Sequence, residues 1–562
     1  MSTLSHPSCR LSAAVLLLSA LLLPAAFAQT TWAPTATQAI SLTNAVSLGS
    51  LAASTPLHIS VGLQLNNRDS LVSLVQRMNT EGDPLYGTSL TESQFVSTYA
   101  PTPDQVNAVV SYLQAQGLTN IQTESNNLLV QADGTAAQVS TAFNTQLGLF
   151  QQNGKTVFAN TAPAQVPSSL SGIAAAVLGL NNAAVMQTPI HPAAGVPTYP
   201  FAAYYPKDIQ LAYDVAKTPT GSRTSVAVIA EGDVSVVPKD LATARKAEGL
   251  PAVPVTIVNA GLPSVDTAGV DEWDLDTQAS TGMAGTVSHL YLYVATSLTD
   301  ADTALAFNRF ASQNVARIAN ASFGICEVFP YVDGSMLVDD NIFLEAAAQG
   351  QTVFASTGDT GSFCGAVVGT NGVPAGAPFV EYPAASPYVV GAGGTTLLTN
   401  SDGTYNNEIT WNAGGGGISQ FEYSPYWQAA AVPTNATSSK GIPDVAMDAD
   451  PNSGFEVYLT CTVSAVPGQG CGAPGFEVIG GTSLSSPLSM GVYARLQSAH
   501  ANKLGFAAPH FYKGSALATS TAPLGFHDII VGNNGLYFAT PGWDYTTGLG
   551  SFDVTAINTL IK

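Results

Sequence analysis

The segment that decides the fold is Phe476-Glu-Val-Ile-Gly-Gly-Thr-Ser-Leu-Ser-Ser-Pro487, which joins a short apolar strand to a helix through two glycines. We expect the strand at residues 476–479 and the helix at 483–496. At such a junction Ser483 keeps its hydroxyl free and lies close to backbone N–H groups, which suits a nucleophile facing an oxyanion. The alternative is a glycine turn with a serine N-cap, and the segment taken alone favours it.

The region before this junction alternates short β-rich apolar runs with helical stretches. The expected strands are 225–230, 253–259, 289–295, 315–321 and 352–356, and the expected helices are 271–283, 300–312 and 335–349. This alternation predicts an α/β fold with a parallel sheet covered by helices on both faces. In such sheets, catalytic side chains collect at the carboxyl ends of the strands.

A nucleophilic serine needs a base that accepts its proton. None of the seven histidines has an obvious position beside a carboxylate at a strand end, so a carboxyl group is the expected base. Glu272 and Asp276 lie four residues apart, so a helix places both carboxyl groups on one face. Sharing a proton relieves their repulsion and raises one apparent pKa, as a general base with an orienting partner requires. The alternative is a solvated acidic helix face, which the pair alone favours.

Asp359 provides a third polar site, because Ser356-Thr-Gly-Asp-Thr-Gly361 directly follows the expected strand 352–356. Considered alone, Asp359 fits an Asx turn. Three such sites at strand ends favour a catalytic interpretation over three separate structural ones.

These motifs resemble those of the sedolisin family, the serine-carboxyl peptidases. The family's Gly-Thr-Ser-x-x-x-Pro motif is matched at 481–487, its Glu-x-x-x-Asp pair at Glu272 and Asp276, and its Gly-Asp turn at Asp359. The resemblance implies a subtilisin-like domain in which Ser483 attacks the peptide carbonyl and Glu272 takes its proton. It also implies that Asp276 orients Glu272 and that protonated Asp359 donates to the oxyanion. Further matches lie at 321–324, 411–417, 443–445 and 542–544.

A separate block at 56–160 has the pattern strand, helix, helix, strand, helix, strand, with a last strand at 147–150, and forms a split βαβ-like unit. It resembles the propeptide of the family, which implies an α+β, ferredoxin-like prodomain that acts as intramolecular inhibitor and chaperone. We expect a signal peptide at 1–28, a propeptide with its proline-rich linker at 29–190, and a peptidase domain at 191–562.

The N-terminus indicates export. Arg10 closes a short leading region, an apolar run covers 11–24, and Ala26-Phe-Ala28 is a small-residue cleavage site. The alternative is a membrane anchor, but the run is shorter than the roughly 20 apolar residues that span a bilayer. We expect secretion, with periplasmic or extracellular release left open and no membrane anchor in the mature form.

The charge composition limits the kinds of partner that the protein can bind. With 17 Lys and Arg against 38 Asp and Glu, the chain has a formal charge of −21 and no basic run, which excludes nucleic acid as a partner. So few cations also prevent strong self-repulsion when carboxylates are protonated in acid. Polypeptide substrates and a monomer are expected.

Four cysteines remain after removal of the signal: Cys326, Cys364, Cys461 and Cys471. An even set in an exported chain predicts two disulfides. The sequence does not fix their connectivity, and the local pairing is Cys326 with Cys364 and Cys461 with Cys471. A metal thiolate site lacks support because no Cys-x-x-Cys pair is present.

The C-terminal loop is the candidate metal site. The resemblance implies one structural Ca²⁺ bound by the side chains of Asp528 and Asp544 and by carbonyls of Ile529, Thr540 and Gly542. The family usually has glycine where Thr540 stands. Without the resemblance, two carboxylates in a loop indicate a solvated turn more often than a metal site.

The sequence therefore predicts a secreted, acid-acting serine-carboxyl endopeptidase made as a self-processing zymogen. One alternative is a catalytically silent secreted binding protein on the same scaffold, which retention of all four catalytic residues disfavours. A second alternative is an ordinary Ser/His/Asp hydrolase. Subsite preference, the choice between endopeptidase and tripeptidyl-peptidase activity, and the maturation site stay open.

Overall fold

The computed structural model describes residues 1–2, 31–42, 45–188, 190–193, 202–368, 374–429, 431, 438–462, 472–517 and 523–561. The apolar run and cleavage site of the expected signal peptide lie outside these ranges, so the signal stays a prediction. Within the described part of the chain, no helix is both long and apolar enough to cross a membrane.

The N-terminal unit is an antiparallel α+β structure with its own core. Its elements are β1 (Trp32–Pro34), β2 (Val46–Ser50), β3 (Pro56–Leu63), α1 (Arg68–Met78), α2 (Glu92–Thr98), α3 (Pro103–Ala115), β4 (Thr119–Thr123), β5 (Leu129–Thr135), α4 (Ala136–Ala142), β6 (Leu147–Gln152), β7 (Lys155–Asn160), β8 (Gln165–Pro167) and β9 (Ala174–Leu178). Thr91 and Thr102 form capping boxes that begin α2 and α3. Ile59, Val130 and Val139 lie in a hydrophobic cluster of this unit.

The main sheet of this unit has the strand order β4-β5-β3-β9, with every pair antiparallel. Helices follow β3 and β5, so the ferredoxin-like prediction is confirmed. The expectation that a strand at 147–150 completes this sheet is wrong. β6 pairs with β2 and β7 in a second sheet, and β9 supplies the fourth strand instead.

The linker strand β10 (His191–Pro192) leads into a larger α/β unit. Its elements are α5 (Pro206–Ala212), β11 (Gly221–Glu231), α6 (Val237–Ala247), β12 (Val255–Asn259), α7 (Val270–Met283), β13 (Val287–Ala295), α8 (Asp300–Gln313), β14 (Ile318–Ala321), β15 (Ile325–Cys326), α9 (Val328–Asp333), α10 (Ser335–Ala348), β16 (Thr352–Ser356), β17 (Cys364–Val368), β18 (Pro374–Ala377), β19 (Glu381–Tyr382), β20 (Val389–Thr399), β21 (Tyr405–Thr410), β22 (Gly417–Tyr423), β23 (Ser439–Ile442), β24 (Val445–Asp448), β25 (Phe455–Leu459), β26 (Gly475–Gly480), α11 (Thr482–Ala499), α12 (Ala508–Leu517), β27 (Phe526–His527), β28 (Ser551–Phe552) and α13 (Val554–Leu560).

The central sheet of this unit has the order β12-β13-β11-β14-β16-β20-β21, and β24 also pairs with β20. All of these pairs are parallel except β20 with β21 at the edge. The helices α7 and α11 pack together, as do α8 and α10, and α8 and α11 contact the sheet strands. The predicted parallel α/β fold is thereby confirmed, and the carboxyl ends of β11, β14 and β16 share one edge.

The two units are in contact through buried polar groups. Asn126 of the N-terminal unit donates its side-chain amide to Asn308 Oδ1 at 2.7 Å and to Glu345 Oε2 at 2.6 Å. The backbone N–H of Leu90 donates to the carbonyl of Ala348 at the end of α10. The N-terminal unit therefore lies on the helices α8 and α10.

One predicted disulfide is present, between Cys326 and Cys364, with their Cα atoms 5.3 Å apart. The predicted pairing of Cys461 with Cys471 lies outside the described residues, because Cys471 is not among them.

Candidate active site

Ser483 is the second residue of α11, directly after the glycine turn that ends β26. Gly481 is the N-cap and has φ = 119°, a backbone conformation that L side chains rarely adopt. The Ser483 side chain is buried, and its Oγ makes no hydrogen bond with any described residue. The serine N-cap alternative is therefore wrong, and the hydroxyl is free for another use.

Glu272 and Asp276 are both buried on α7, which packs against α11. The alternative of a solvated acidic face is wrong. Burial and the charge of Asp276 raise the pKa of Glu272 well above its usual value, and the nearby Ser483 hydroxyl partly opposes this. Neither Glu272 oxygen forms a hydrogen bond of normal geometry, so the carboxyl group faces the serine without being engaged elsewhere.

A chain of hydrogen bonds fixes Asp276. Ser322 donates its hydroxyl to Asp276 Oδ1 at 2.6 Å, and Asn320 donates its amide to Ser322 Oγ at 2.9 Å. Ser486, one turn after the nucleophile, donates to Asn320 Oδ1 at 2.6 Å. Burial raises the pKa of Asp276 against these hydrogen bonds. Sequence analysis missed this network, although Ser322 lies in the matched segment 321–324 and Asn320 is an unusual polar residue in a buried strand.

Asp359 reaches the same place from the end of β16. Its Oδ1 accepts hydrogen bonds from the backbone N–H and the hydroxyl of Thr482, both at 2.8 Å. The partner is 123 residues away, so the local Asx turn alternative is wrong. Burial raises the pKa of Asp359, and the contacts with His191 and Thr482 oppose the rise. The four predicted catalytic residues are thus brought together at one edge of the sheet.

None of the described histidines forms a hydrogen bond with Ser483. His58 pairs with Asp133, His289 with Thr256, His500 with Asn558 and His510 with the carbonyl of Leu504, while His527 stacks on Tyr405 and His191 contacts Asp359. The geometry therefore gives no support to a Ser/His/Asp arrangement.

The end of the propeptide and the linker lie on both sides of the nucleophile loop. Gln187 and Gly324 exchange two backbone hydrogen bonds, at 2.8 and 3.0 Å. Further along, His191 pairs with Gly480 in antiparallel register and Ala193 donates its N–H to the carbonyl of Val478 at 2.9 Å. The segment 191–193 therefore pairs with the strand that leads to Ser483 in the manner of an added β-strand, which is one way in which proteins bind extended peptides.

The two acidic residues of the candidate calcium site lie close together. Both oxygens of Asp528 accept from the N–H of Gly542 at 3.1 Å, and Asp544 Oδ2 accepts from the N–H of Thr540 at 2.9 Å. Burial and then the charge of Asp544 raise the pKa of Asp528, and no described cationic side chain pairs with either residue.

These residues fit a hard cation. Two unneutralised carboxylates around a loop of backbone carbonyls form an oxygen donor set of the kind that Ca²⁺ prefers. No group of three or more acidic, His or Cys side chains that could hold a metal occurs in the described chain, so carbonyls such as that of Ile529 would have to complete the set. The backbone at Thr540 does not take a positive φ, so threonine stands there without strain.

Comparison with known proteins agrees with this geometry. The model of the pro-kumamolisin activation domain matches residues 43–183, and that of the subtilase family matches 267–550. The chain is 39% identical to sedolisin of Pseudomonas sp. (strain 101), over 95% of this chain and 93% of that protein. It is 36% identical to xanthomonalisin of Xanthomonas sp. (strain T-22), over 91% of this chain and 66% of that protein.

A solved structure gives the same result for the fold. Pseudomonas sedolisin complexed with pseudo-iodotyrostatin superposes with a TM-score of 0.57 at 37% identity and covers 65% of this chain and 98% of its own. The larger unit therefore has the expected subtilisin-like fold, and the chain is a serine-type peptidase with an activation domain. On both the sequence and the structural comparison, the chain belongs to the sedolisin family of serine-carboxyl peptidases.

Proposed function

We propose that this protein is a secreted, acid-acting endopeptidase made as a self-processing zymogen, with Ser483 as nucleophile and Glu272 as general base. The observation that carries the proposal is the unengaged Ser483 hydroxyl facing the buried Glu272 carboxyl, with none of the six described histidines bonded to the serine. The silent-scaffold alternative requires such a pair to be retained without use, and nothing in the site favours it.

In the first step, Ser483 Oγ attacks the peptide carbonyl carbon while its proton passes to Glu272. Asp276 keeps Glu272 oriented, because Ser322 and Asn320 fix Asp276 in turn. Collapse of the tetrahedral intermediate expels the amine, which receives the proton from Glu272. Water then attacks the acyl-enzyme while Glu272 accepts one of its protons. Breaking of the bond between the acyl carbon and Ser483 Oγ releases the carboxylic acid product, and Glu272 returns the proton to Ser483 Oγ.

Asp359 acts on the oxygen of the tetrahedral intermediate. Its Oδ1 is occupied by two hydrogen bonds from Thr482, so a proton on this carboxyl belongs on Oδ2, which faces away from those donors. A neutral carboxyl group donates to an oxyanion, whereas an ionised one repels it. Acid activity follows from this requirement, since the enzyme works only while Asp359 carries its proton.

Calcium belongs to the proposal as a structural ion. Asp528 and Asp544 would bind it with carbonyls of Ile529, Thr540 and Gly542. When bound, it neutralises the two carboxylates and ties the C-terminal loop together. Secretion rests on the signal-like segment at 1–28 and is part of the proposal as well.

The test is self-processing in acid. Ser483→Ala and Glu272→Gln zymogens are expected to fold but to keep their full length, as followed by gel electrophoresis and intact mass. Ser489→Ala is the matched control, because Ser489 is a buried serine of the same helix whose hydroxyl donates locally to the carbonyl of Ser485. Processing of Ser483→Ala at the wild-type rate would disprove the nucleophile assignment.

A further inference from the structure

His191 of the linker makes a contact that the proposed mechanism does not use. Its Nε2 lies 3.2 Å from Oδ2 of Asp359. The pairing of His191 with Gly480 holds the backbone in place, and the ring of Trp411 packs edge-on at a centroid distance of 6.1 Å. The imidazole is thus held against Asp359 from two directions.

The oxygen that His191 contacts is the one the mechanism needs. Thr482 occupies Oδ1 of Asp359 with two hydrogen bonds, which leaves Oδ2 to donate to an oxyanion. The contact with His191 lacks the alignment of a full hydrogen bond, and it is an ion pair when the imidazole is protonated. With acceptor contacts on both oxygens, Asp359 is stabilised as a carboxylate, and a carboxylate has no proton to donate.

The charges around Asp359 make His191 its neutralising partner. Burial raises the pKa values of Glu272 and Glu381, and the negative charge of Asp359 adds to the rise in both. Among the described residues, His191 is the cationic side chain in contact with Asp359. Without His191, the charge of an ionised Asp359 would act on Glu272 and Glu381 with no cationic side chain of the described residues in contact with it.

We propose that His191 is an inhibitory contact, which holds Asp359 of the zymogen in its ionised, non-donating form until acid protonates Asp359. The proposal rests on the oxyanion role of Asp359 given above. Its partner is a segment of the same chain, and cleavage of the linker makes the release irreversible.

The direction of the pH effect follows from the two partners. The contact with Asp359 raises the pKa of His191 and burial opposes the rise, so the imidazole stays charged to a higher pH than an unpaired histidine does. Burial raises the pKa of Asp359, and His191 is the first contact that opposes this rise. The predicted domain boundary places His191 at the start of the peptidase domain, so this step requires that the maturation cut falls after His191, within the proline-rich stretch that continues to Pro200. The opposing cation then leaves with the propeptide. The mature enzyme should therefore remain active at a higher pH than the one at which the zymogen starts to process itself.

The first experiment compares His191→Asn with wild-type zymogen. The rate of self-processing is measured between about pH 3 and pH 7. We expect the alkaline limb of the rate profile to move up by about one pH unit or more, because a facing cation lowers a carboxyl pKa by about 1–3 units. The mature enzymes released from both zymogens should have the same pH profile.

A matched control is His58→Asn, which removes a prodomain histidine that pairs with Asp133 at 2.6 Å on the surface. Its processing profile should equal that of the wild type. A His191→Asn zymogen whose limb does not move, including one that is slower at every pH, overturns the inhibitory contact.

A second measurement does not depend on processing. In Ser483→Ala zymogen labelled at histidine, the His191 resonance is identified by its loss in a Ser483→Ala/His191→Asn variant. We expect this imidazole to titrate above the ordinary value of about 6.5, and to return towards it when Asp359→Asn is added. An imidazole that titrates at or below its ordinary value, or that ignores Asp359→Asn, overturns the proposal.

The two proposals fail in different ways. If Ser483→Ala processes itself or the mature enzyme is most active at neutral pH, the proposed function is wrong. If both expectations hold but the His191→Asn profile is unchanged, the function stands and only the inhibitory contact is wrong.

Discussion

Asp359 offers the sharpest test of the mechanism, because its role depends on a proton. In Asp359→Asn, the amide oxygen can keep both hydrogen bonds from Thr482, which are 2.8 Å long, while the amide nitrogen replaces Oδ2 as a donor. This variant donates without titrating. We expect residual activity whose alkaline limb is weakened, while the acid limb, set by the pair of Glu272 and Asp276, persists.

The magnitude is larger for Asp359→Ala. Removal of one oxyanion donor costs about 10²–10³ in kcat, or about 2.7–4 kcal/mol of transition-state stabilisation. Alanine also removes the acceptor of the Thr482 N–H and hydroxyl hydrogen at the start of α11, at a cost of about 1–3 kcal/mol in stability for each buried donor, although the hydroxyl oxygen still accepts from the N–H of Gly358. A melting curve must therefore accompany each activity measurement, and the asparagine variant separates the two effects.

The assay is kcat/KM for a peptide substrate as a function of pH, on mature enzyme. Variants that do not mature alone are processed by a tagged wild-type enzyme, which is then removed on an affinity resin. Burial raises the pKa of Asp359 above 3.8, so activity is present below that pKa and is lost as pH rises through it. This limb should lie in the acidic range, below the histidine limb near 6.5. A wild-type maximum at neutral pH, or near-normal activity in Asp359→Ala, refutes the assignment.

Three further outcomes are expected. The melting temperature of mature enzyme near pH 5 should fall by several degrees with chelator, because a ligand at 100 times its Kd adds about 2.7 kcal/mol to the free energy of unfolding. This difference should fade in strong acid, as Asp528 and Asp544 are protonated. Identical melting temperatures for a preparation shown to contain calcium would disprove the site. Ser322→Ala should lower kcat about tenfold with little change in KM and move the acid limb, whereas an unchanged pH profile would make Ser322 merely structural. The free energy of unfolding of Ser483→Ala zymogen, measured with denaturant, should decrease from about pH 4 to pH 7, and a constant or rising value would contradict the reasoning below.

The sequence was sufficient for the residues whose spacing is local. The glycine turn before Ser483 and the four-residue spacing of Glu272 and Asp276 each specify their own geometry. The sequence was also sufficient for the parallel sheet, because alternation of strands and helices is a local pattern. The spacing does not specify which side chains form hydrogen bonds or charge contacts with each carboxyl group, because those partners come from distant parts of the chain.

The errors have the same cause. β6 has the alternation of a strand, but the choice between two sheets depends on which edge is free after folding, and the sequence of β6 does not encode that edge. The bonds from Ser322 to Asp276 and from Thr482 to Asp359 join residues 46 and 123 positions apart. The contact of His191 with Asp359 was equally hidden, because a histidine in a proline-rich linker gives no sign of the strand that will pair with it.

Acidic pH stabilises the fold of this protein as well as supporting its proposed catalysis. Among the described residues, four pairs of neighbouring carboxyl groups are buried with at least one pKa raised in each pair, first by burial and then by the partner's charge. The pairs are Glu272 with Asp276, Asp274 with Asp240, Asp300 with Asp333, and Glu422 with Asp340. Each pair is stable while it holds a proton. A raised pKa in the folded state gives stability that is complete below the unfolded pKa and is lost as pH rises through the folded value.

This arrangement follows from composition, because 17 basic side chains cannot neutralise 38 acidic ones once many of the latter are buried. Catalysis by Asp359 and the stability of the fold are therefore governed by the same variable. Changing one catalytic group does not move the other pairs. A variant such as His191→Asn can let self-processing begin at a higher pH, yet the enzyme it releases still depends on the proton held by the buried pair of Asp274 and Asp240, which lies outside the catalytic mechanism.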